Sequence, residues 1–459
     1  MTEPLVLLDP RTGRRRGAST LSRASEVAGA VHACRSALPV WRALTPRARA
    51  ERLTALADAI GSRAERFAAA ERAGTGKPAA EAAGEVEQAV DLIRFYAQAA
   101  RTELSPAAGG LLDGHESWVR WEPIGVVGVI VPWNYPLMMA VWRLAPALAT
   151  GNTVVLKPAE STPDTALLMA ELADGTLGSG VLTALTGDRT TGQLLVESDV
   201  DAVAFTGSVR GGTDVAVRAG LKRTSLELGG NCPVVVLPDA PEHAWTDIVA
   251  ASVYNAGQSC AAPARVIVLA EHHDKAVEGL GAAMAAHTAG VHFGPLNNAD
   301  QAARYDRILG TTRAKTVLRG EVEVPADEQN GFWRPAALLA GLPEDDPAIT
   351  EEVFAPVLTV QPADSVEHAV ELANSTSQAL AASVWSSDLA SALSLARRID
   401  AGEVWVNCHL VQTAELPHGG RGASGHGTDL SVLALREYTR PKTITAALRA
   451  LGASGGQQT

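Results

Sequence analysis

The chain contains few cysteines, and none has a paired spacing. Its four cysteines, Cys34, Cys232, Cys260 and Cys408, are scattered over 459 residues, so they predict neither a disulfide framework nor a zinc site. A reducing compartment is the simpler interpretation, and we expect a cytoplasmic protein. The eleven histidines show neither His-x-x-x-His nor His-Glu-x-x-His spacing, so no metal site is predicted.

Long apolar runs and an excess of positive charge are also lacking. The longest strongly apolar run, residues 125–131, cannot span a bilayer, which needs about 20 apolar residues. The run from Leu5 to Leu8 is too short for the core of a signal peptide. The formal net charge of -12 argues against a nucleic-acid-binding surface and favours colloidal solubility. We therefore expect no membrane and no nucleic-acid partner.

The chain does contain a regular alternation of apolar patterns. Helical spacing predicts a helix over residues 22–44, a second from Thr45-Pro46 to Gly74, and a third over residues 80–101. Short apolar strands then alternate with helices from residue 125 to 228, and again from residue 234 to 406. The strands predicted in this later set begin at Val234, Ala264, Leu380 and Glu403. Such alternation predicts two α/β domains with parallel sheets, preceded by a surface loop at residues 11–20.

Seven short motifs follow one another along the chain. They are PWNYP at 132–136, GNTVVLKP at 151–158, FTGS at 205–208, ELGG at 227–230, GQSC at 257–260, EEVFAPV at 351–357 and PHGG at 417–420. Taken alone, a cysteine between small residues is more often an inert apolar side chain than a nucleophile. In their order and spacing, however, the motifs resemble the aldehyde dehydrogenase superfamily over residues 8–444, nearest its aminobutyraldehyde and betaine-aldehyde branch.

This resemblance implies a covalent mechanism and three catalytic residues. Cys260 would add to the aldehyde, giving a thiohemiacetal and, after hydride transfer, a thioester. Asn134 would donate its side-chain amide to the oxyanion, beside the backbone N–H of Cys260. Its other interpretation is a cap on the helix that starts near Pro136. Glu227 would activate the water that hydrolyses the thioester.

The resemblance also implies a bound dinucleotide, although no Gly-x-Gly-x-x-Gly fingerprint is present. The segment from Gly207 to Gly212 follows a predicted strand and opens a helix, the arrangement that binds a pyrophosphate. The predicted cofactor-binding residues are Trp133, Lys157, Glu160, Gly207, Ser208, Gly212, Glu352 and Phe354. A carboxylate at Glu160 would accept from a ribose 2′-OH and repel a 2′-phosphate, so NAD is predicted in preference to NADP. Without the resemblance, Lys157 and Glu160 would be interpreted as an exposed ion pair.

The predicted fold is that of aldehyde dehydrogenases, with two Rossmann-like domains and a small β oligomerisation flap. Residues 1–100 and 124–229 would form the NAD-binding domain, and residues 230–423 the catalytic domain. Residues 101–123 and 440–459 would form the flap and the C-terminal tail. A homodimer or homotetramer would assemble through residues 117–122 and 440–446. Compared with the family, we expect the leading N-terminal strands to be absent and the connections at 172–181 and 288–294 to be short.

The implied reaction is NAD-dependent oxidation of a small-molecule aldehyde to a carboxylic acid. The C-terminal motif, in which His418 replaces a commoner phenylalanine, points to an ω-aminoaldehyde such as 4-aminobutyraldehyde. Ser259 stands where some relatives carry a carboxylate, so the rings of Tyr135 and Trp133 are the candidates for facing a cation. Two alternatives remain open: a coenzyme-A-acylating semialdehyde dehydrogenase, which would lack the glutamate at position 227, and a non-catalytic NAD-binding protein of the same fold.

Overall fold

The computed structural model describes residues 4–102 and 107–448. Residues 1–3, 103–106 and 449–459, which the predicted domains and tail include, lie outside the described residues. The first elements are β1 (Leu5–Leu8), β2 (Arg15–Ser19), α1 (Ala24–Ala43), α2 (Pro46–Gly61), α3 (Ala64–Thr75), α4 (Ala79–Thr102), β3 (Ala107–Leu112) and β4 (His115–Pro123).

Two of the N-terminal predictions are wrong. The expected loop at residues 11–20 contains β2, which pairs with β1 as an antiparallel hairpin, so leading strands are present. Arg16 holds the hairpin in place by donating to Asp164 and to the carbonyl of Ser161. The positive charge of this segment is typical of an exposed loop. The partners of Arg16 are distant in sequence, so the contact could not be predicted.

The second predicted helix is two helices. The backbone leaves the helical conformation at Arg63, two residues after Gly61, a weak helix former. The apolar residues on both sides of this break, Ile60 and Phe67, are nevertheless fully buried. The spacing therefore identified the buried face correctly but did not reveal the break.

The first α/β unit follows the predicted alternation. Its elements are β5 (Val126–Ile130), α5 (Pro136–Ala149), β6 (Thr153–Lys157), α6 (Asp164–Thr176), β7 (Leu182–Ala184), α7 (Arg189–Glu197), β8 (Ala202–Gly207), α8 (Val209–Ala219) and β9 (Arg223–Leu228). The central strand β5 is buried along its whole length, as expected for a parallel strand with helices on both faces.

The second α/β unit contains more elements than predicted. They are β10 (Cys232–Val236), α9 (Ala244–Val253), β11 (Pro263–Leu269), α10 (His273–Ala285), α11 (Ala299–Thr311), β12 (Thr316–Arg319), β13 (Ala337–Ala340), α12 (Pro347–Thr350), β14 (Val357–Ala363), α13 (Val366–Ala373), β15 (Gln378–Ala379), β16 (Ala381–Trp385), α14 (Leu389–Ala396) and β17 (Glu403–Val406). Short 3₁₀ turns span Tyr254–Gly257 and Ala270–His272. The final elements are β18 (Arg421–Gly422), β19 (Gly425–His426), α15 (Ala434–Glu437) and β20 (Thr439–Ala447).

Within residues 107–448 the strands form two large sheets, of six and seven strands. The first has the order β19-β9-β8-β5-β6-β7, and all its pairs are parallel except β19 with β9. The second has the order β12-β13-β14-β11-β10-β16-β17, with only β12 antiparallel to its neighbour. The four strands predicted for it, β10, β11, β16 and β17, are adjacent. The overlooked β12, β13 and β14 extend one edge.

A smaller sheet in the described part of the chain has the order β20-β4-β3. Its β4 and β20 pair without interruption from Thr439 opposite Pro123 to Ala447 opposite His115. These are the segments predicted to join subunits. None of the helices among the described residues is long and apolar enough to cross a membrane.

Candidate active site

A cavity of about 390 Å³ opens where the parallel strands of the first sheet end. Ligands bind at this edge in open α/β sheets because the loops and helix N-termini converge there. Ten of the predicted site residues line it: Trp133, Asn134, Lys157, Glu160, Gly207, Ser208, Glu227, Cys260, Glu352 and Phe354. Gly212 is not among the lining residues.

The loop that carries Cys260 is held in a strained conformation. Asn255 and Ala256 have positive φ angles of 48° and 55°, which side-chain-bearing residues rarely adopt. The buried Gln258 fixes the loop, because its side-chain oxygen accepts from the Asn297 backbone N–H at 2.8 Å and its amide donates to the Asn255 carbonyl at 3.0 Å. Cys260 itself is half-buried. Burial, followed by the negative charge of Glu227, raises the pKa of its thiol well above the usual value.

Asn134 is directed at this loop and does not cap the following helix. Its side-chain amide donates to the Gln258 carbonyl at 2.9 Å, while its side-chain oxygen lacks a hydrogen-bond partner among the described residues. The helix α5 begins after Tyr135, which makes no side-chain cap bond. The interpretation of Asn134 as a helix cap is therefore wrong. Lys77 and Asn255 both donate to the Asn134 carbonyl at 3.0 Å and fix its backbone.

Glu227 lies at the end of β9 and is only 3% exposed. Its backbone pairs with Gly425 of β19, which fixes the strand end. A carboxylate oxygen of Glu227, the sulfur of Cys260 and a ring nitrogen of His418 all lie within 4.8 Å of one another. A carboxylate and a thiol thus face the same inner end of the cavity. We assign no metal to this group, and the predicted absence of a metal site stays a prediction.

The two glycines after Glu227 allow parts of the site to approach closely. A Cβ at Gly230 would lie 2.3 Å from the Cys260 carbonyl oxygen, and one at Gly229 would lie 2.0 Å from a carboxylate oxygen of Glu352. The Glu352 carboxylate accepts from the Gly230 N–H at 3.1 Å. Burial raises the pKa of Glu352 to about 7, against the opposing charge of Arg304.

Phe354 and Trp133 form an aromatic wall beside Glu352. Their rings meet edge to face, with centroids 5.5 Å apart and an interplanar angle of 83°. Phe354 has a φ of 56°, and the Gln301 amide supports this strained backbone by donating to the Phe354 carbonyl at 2.7 Å. Both rings line the cavity, as do Glu352 and Cys260.

The segment after β8 places a helix N-terminus at the other end of the cavity. Ser208 caps α8, its hydroxyl accepting from the Gly211 N–H at 3.1 Å. Gly212 instead lies where α8 packs on β9, because a Cβ there would be 2.4 Å from a methyl carbon of Leu228. Gly212 thus has a packing role, and its predicted cofactor contact stays a prediction.

Lys157 and Glu160 follow β6 on the same side. Lys157 is only 4% exposed and donates to the Pro158 carbonyl at 2.9 Å, so it is not part of an exposed ion pair. Burial lowers the pKa of Lys157, partly offset by the charge of Glu160. Glu160 is exposed at the rim of the cavity. A helix N-terminus, a buried ammonium and a rim carboxylate suit a dinucleotide with its pyrophosphate and ribose.

The rings predicted to face a substrate cation already have neighbours. The Lys77 ammonium lies 4.6 Å from the centroid of the Tyr135 ring, and Tyr254 stacks with the same ring at 6.5 Å. Trp133 faces Phe354. Tyr254 is 39% exposed and retains accessible ring surface.

Several buried charges near the site were not predicted. Arg143 is 1% exposed within the apolar helix α5 and forms a 3.0 Å ion pair with Asp429. Lys77 forms a buried ion pair with Glu85. A charge within an otherwise apolar helical run, as at Arg143, is a signal that could have been found, since such a residue needs a buried partner. The identity of that partner could not have been found, because Asp429 is distant in sequence.

Comparisons with known proteins agree with this geometry. A family model described as the aldehyde dehydrogenase family matches residues 2–444. A betaine aldehyde dehydrogenase of Bacillus subtilis is 34% identical over 88% of this chain and 86% of its own length. A phenylacetaldehyde dehydrogenase of Pseudomonas fluorescens is 36% identical over 89% of this chain and 85% of its own. The crystal structure of a betaine aldehyde dehydrogenase from Staphylococcus aureus in complex with NAD+ superposes with a TM-score of 0.94 at 27% identity, covering 99% of this chain and 94% of that one.

Proposed function

This chain belongs to the aldehyde dehydrogenase family and is an NAD-dependent aldehyde oxidoreductase, and we propose that it forms the free carboxylic acid through Cys260, Asn134 and Glu227. The observation that carries the proposal is that these three residues line one cavity, with a Glu227 carboxylate oxygen within 4.8 Å of the Cys260 sulfur. The predicted α/β fold of the family, with two Rossmann-like units, is confirmed. The division into domains stays a prediction, as does the cytoplasmic location.

In the first half of the proposed reaction, the Cys260 thiolate adds to the aldehyde carbon and forms a tetrahedral thiohemiacetal. The Asn134 amide and the Cys260 backbone N–H donate to the oxyanion. Because the Asn134 amide now donates to the Gln258 carbonyl, a small rotation of either group would free it for substrate. NAD, when bound, accepts the hydride.

In the second half, Glu227 accepts a proton from a water molecule that attacks the thioester carbon. The carbon–sulfur bond breaks, and Cys260 leaves as the thiolate. Glu227 is buried beside the sulfur and has an oxygen that no described residue bonds. Its presence supports hydrolysis over transfer of the acyl group to coenzyme A.

The residues around the cavity would hold NAD along its length. Ser208 and the N-terminus of α8 would bind the pyrophosphate. Lys157 and Glu160 would bind the adenosine ribose, and Glu352 the nicotinamide ribose. The rings of Phe354 and Trp133 would keep the nicotinamide in the part of the cavity next to Cys260.

We propose an ω-aminoaldehyde such as 4-aminobutyraldehyde as the substrate class. The likeness to betaine aldehyde dehydrogenases supports a cationic substrate. A second support is the half-buried Glu81, which accepts from the Asn255 N–H at 3.2 Å and lies near the exposed ring of Tyr254. A carboxylate and a ring face together suit an ammonium group. Neither residue lines the NAD cavity, so an ammonium group bound by them would lie outside it.

NADH formation by the purified protein tests the proposal. The panel should contain 4-aminobutyraldehyde, betaine aldehyde, succinate semialdehyde, phenylacetaldehyde and simple aliphatic aldehydes, each with and without coenzyme A. We expect turnover to the free acid, highest for the cationic aldehydes, and its loss in Cys260→Ala with NAD binding retained. Undiminished turnover in Cys260→Ala would refute the mechanism, an acyl-coenzyme-A product would refute hydrolysis, and preference for neutral aldehydes would refute the substrate class.

We further propose that the sheet of β3, β4 and β20 joins subunits into a homodimer or homotetramer. Its support is the exposed apolar surface on these strands, where Leu111 is 73% and Trp118 is 36% exposed. Light scattering on the purified protein should give a mass of two or four chains. A monomer would refute this assembly.

A further inference from the structure

His418 is enclosed next to the proposed catalytic residues. It is 1% exposed, and its backbone N–H and carbonyl both pair with Asp429. Its ring packs edge-on against Trp142, with centroids 5.2 Å apart. Backbone and ring are therefore both fixed, and the imidazole nitrogens have defined directions.

The imidazole lies between two carboxylates. Its Nδ1 is 3.0 Å from a carboxylate oxygen of Glu403, and its Nε2 is 3.7 Å from Glu227 Oε1. Within the described part of the chain, neither Nε2 nor that Glu227 oxygen has a hydrogen-bond partner. The two atoms thus face each other across a gap that a small side-chain rotation would close.

This environment favours a charged imidazole. Burial by itself disfavours the cation, but the negative charges of Glu227 and Glu403 and the 3.0 Å contact of Nδ1 with Glu403 outweigh it and raise the pKa of His418 to about 9. Gln412 also lies 3.0 Å from Nδ1, without adding charge. A ring protonated on both nitrogens can donate to both carboxylates.

The other charges that face His418 come from the neighbouring Arg143–Asp429 pair. Asp429 forms an ion pair with Arg143, whose guanidinium donates to Thr206 and Ser225. Most of the guanidinium of Arg143 is thus occupied by this ion pair and these hydrogen bonds. His418 faces Glu227 directly, and one of its ring nitrogens lies within 4.8 Å of the Cys260 sulfur.

We propose that His418 is a positioning residue whose imidazole, anchored by Glu403, aims the Glu227 carboxylate at the site and offsets the negative charge of the Cys260 thiolate. The inference rests on the proposed function. Burial and the Glu227 charge both disfavour the thiolate, and a nearby imidazolium is the kind of group that restores it. His418 forms and breaks no covalent bond in the reaction.

The first test follows the alkylation of Cys260 by iodoacetamide as a function of pH, without NAD or aldehyde, with mass spectrometry to identify the modified cysteine. The variants are His418→Phe, which fills the space against Trp142, and His418→Gln, which keeps a hydrogen-bonding group without charge. We expect the pH midpoint of Cys260 alkylation to rise by about 1 to 2 units in both variants. Gly84→Ala, where an added Cβ would meet nothing within 4 Å, keeps His418, Trp142 and both carboxylates, and its midpoint should match that of the unmodified protein.

A second test uses Glu403→Gln, which removes the anchoring charge and leaves His418 in place. Its midpoint should also rise, by less than in His418→Phe. In turnover with NAD, His418→Phe should show a burst of NADH followed by a steady rate about 10- to 100-fold below that of the unmodified protein, because Glu227 would be misplaced for hydrolysis. Circular dichroism checks that each variant is folded.

An unchanged alkylation profile in His418→Gln and Glu403→Gln would overturn the role of His418 even if His418→Phe fails to fold. This failure is distinct from failure of the proposed function, which would appear as NADH formation by Cys260→Ala in protein with an intact His418.

Discussion

A methyl group added at Gly229 should displace the carboxylate of Glu352. The Cβ of Gly229→Ala would lie 2.0 Å from a Glu352 oxygen and 2.6 Å from the carboxylate carbon, whereas ordinary contact begins at 3.4 Å. The carboxylate must therefore retreat by more than an ångström. Its 3.1 Å hydrogen bond from the Gly230 N–H would break in the process.

The size of the effect follows from that bond. A hydrogen bond to a charged group contributes about 1.5–3 kcal/mol, and 1.4 kcal/mol corresponds to roughly tenfold in an equilibrium constant. If Glu352 holds the nicotinamide ribose, the dissociation constant for NAD should rise roughly 10- to 100-fold in Gly229→Ala. Aldehyde oxidation at saturating NAD should fall less than the affinity.

The matched control is Gly84→Ala. Gly84 lies inside the helix α4, and a Cβ there would meet nothing within 4 Å. Alanine is favoured over glycine in a helix by about 1 kcal/mol, so this variant should melt at the same or a slightly higher temperature. Its affinity for NAD should be unchanged.

Titration with NAD, monitored by the quenching of protein fluorescence, gives the dissociation constant for NAD of each variant. Differential scanning calorimetry gives the melting temperatures. Equal affinity for NAD in Gly229→Ala and in the unmodified protein would refute the reasoning. It would mean either that the loop relaxes around the methyl group or that Glu352 does not hold NAD.

Three further predictions concern the same region. Glu227→Gln should release a rapid burst of NADH and then turn over about 10²- to 10⁴-fold more slowly, as measured by stopped flow, because the general base is lost; slow NADH release without a burst would contradict this. The pKa of Glu352 is raised to about 7, so the carboxylate gains a proton as the pH falls through that value, and the affinity for NAD should weaken from pH 8 to pH 6. In Glu352→Gln, calorimetric titration should find an affinity for NAD that does not depend on pH. Lys77→Met leaves the buried Glu85 without its cation and should lower the free energy of unfolding in urea by about 3–5 kcal/mol, most of which Lys77→Met with Glu85→Leu should recover; an equally unstable double variant would refute the pairing.

Much of the architecture was predictable because it depends on local patterns. The helix Ala79–Thr102 and the strand Pro263–Leu269 begin within one residue of their predicted starts, since their apolar spacing is set by the period of each element. The strands Thr316–Arg319 and Ala337–Ala340 were missed. They are four residues long, and the first is exposed throughout, so neither carries an apolar period that distinguishes it from a loop.

The candidate site was likewise predicted only in part. The motifs around Cys260, Glu227 and Asn134 identified the chemical groups, because a thiol, a carboxylate and an amide are properties of single residues. They did not show that Asn134 turns away from the helix it precedes, or that Gly212 packs on Leu228 instead of lining the cavity.

The sequence by itself determined the family, the order of the elements and the side chains available for catalysis, because these depend on residue identity and on spacing along the chain. Only the tertiary structure decided which charges meet. His418 lies between Glu403 and Glu227, and Arg143 pairs with Asp429, across separations of 15 to 286 residues. Burial and distance set the charge state of each group, and both arise only when remote segments of the chain pack together.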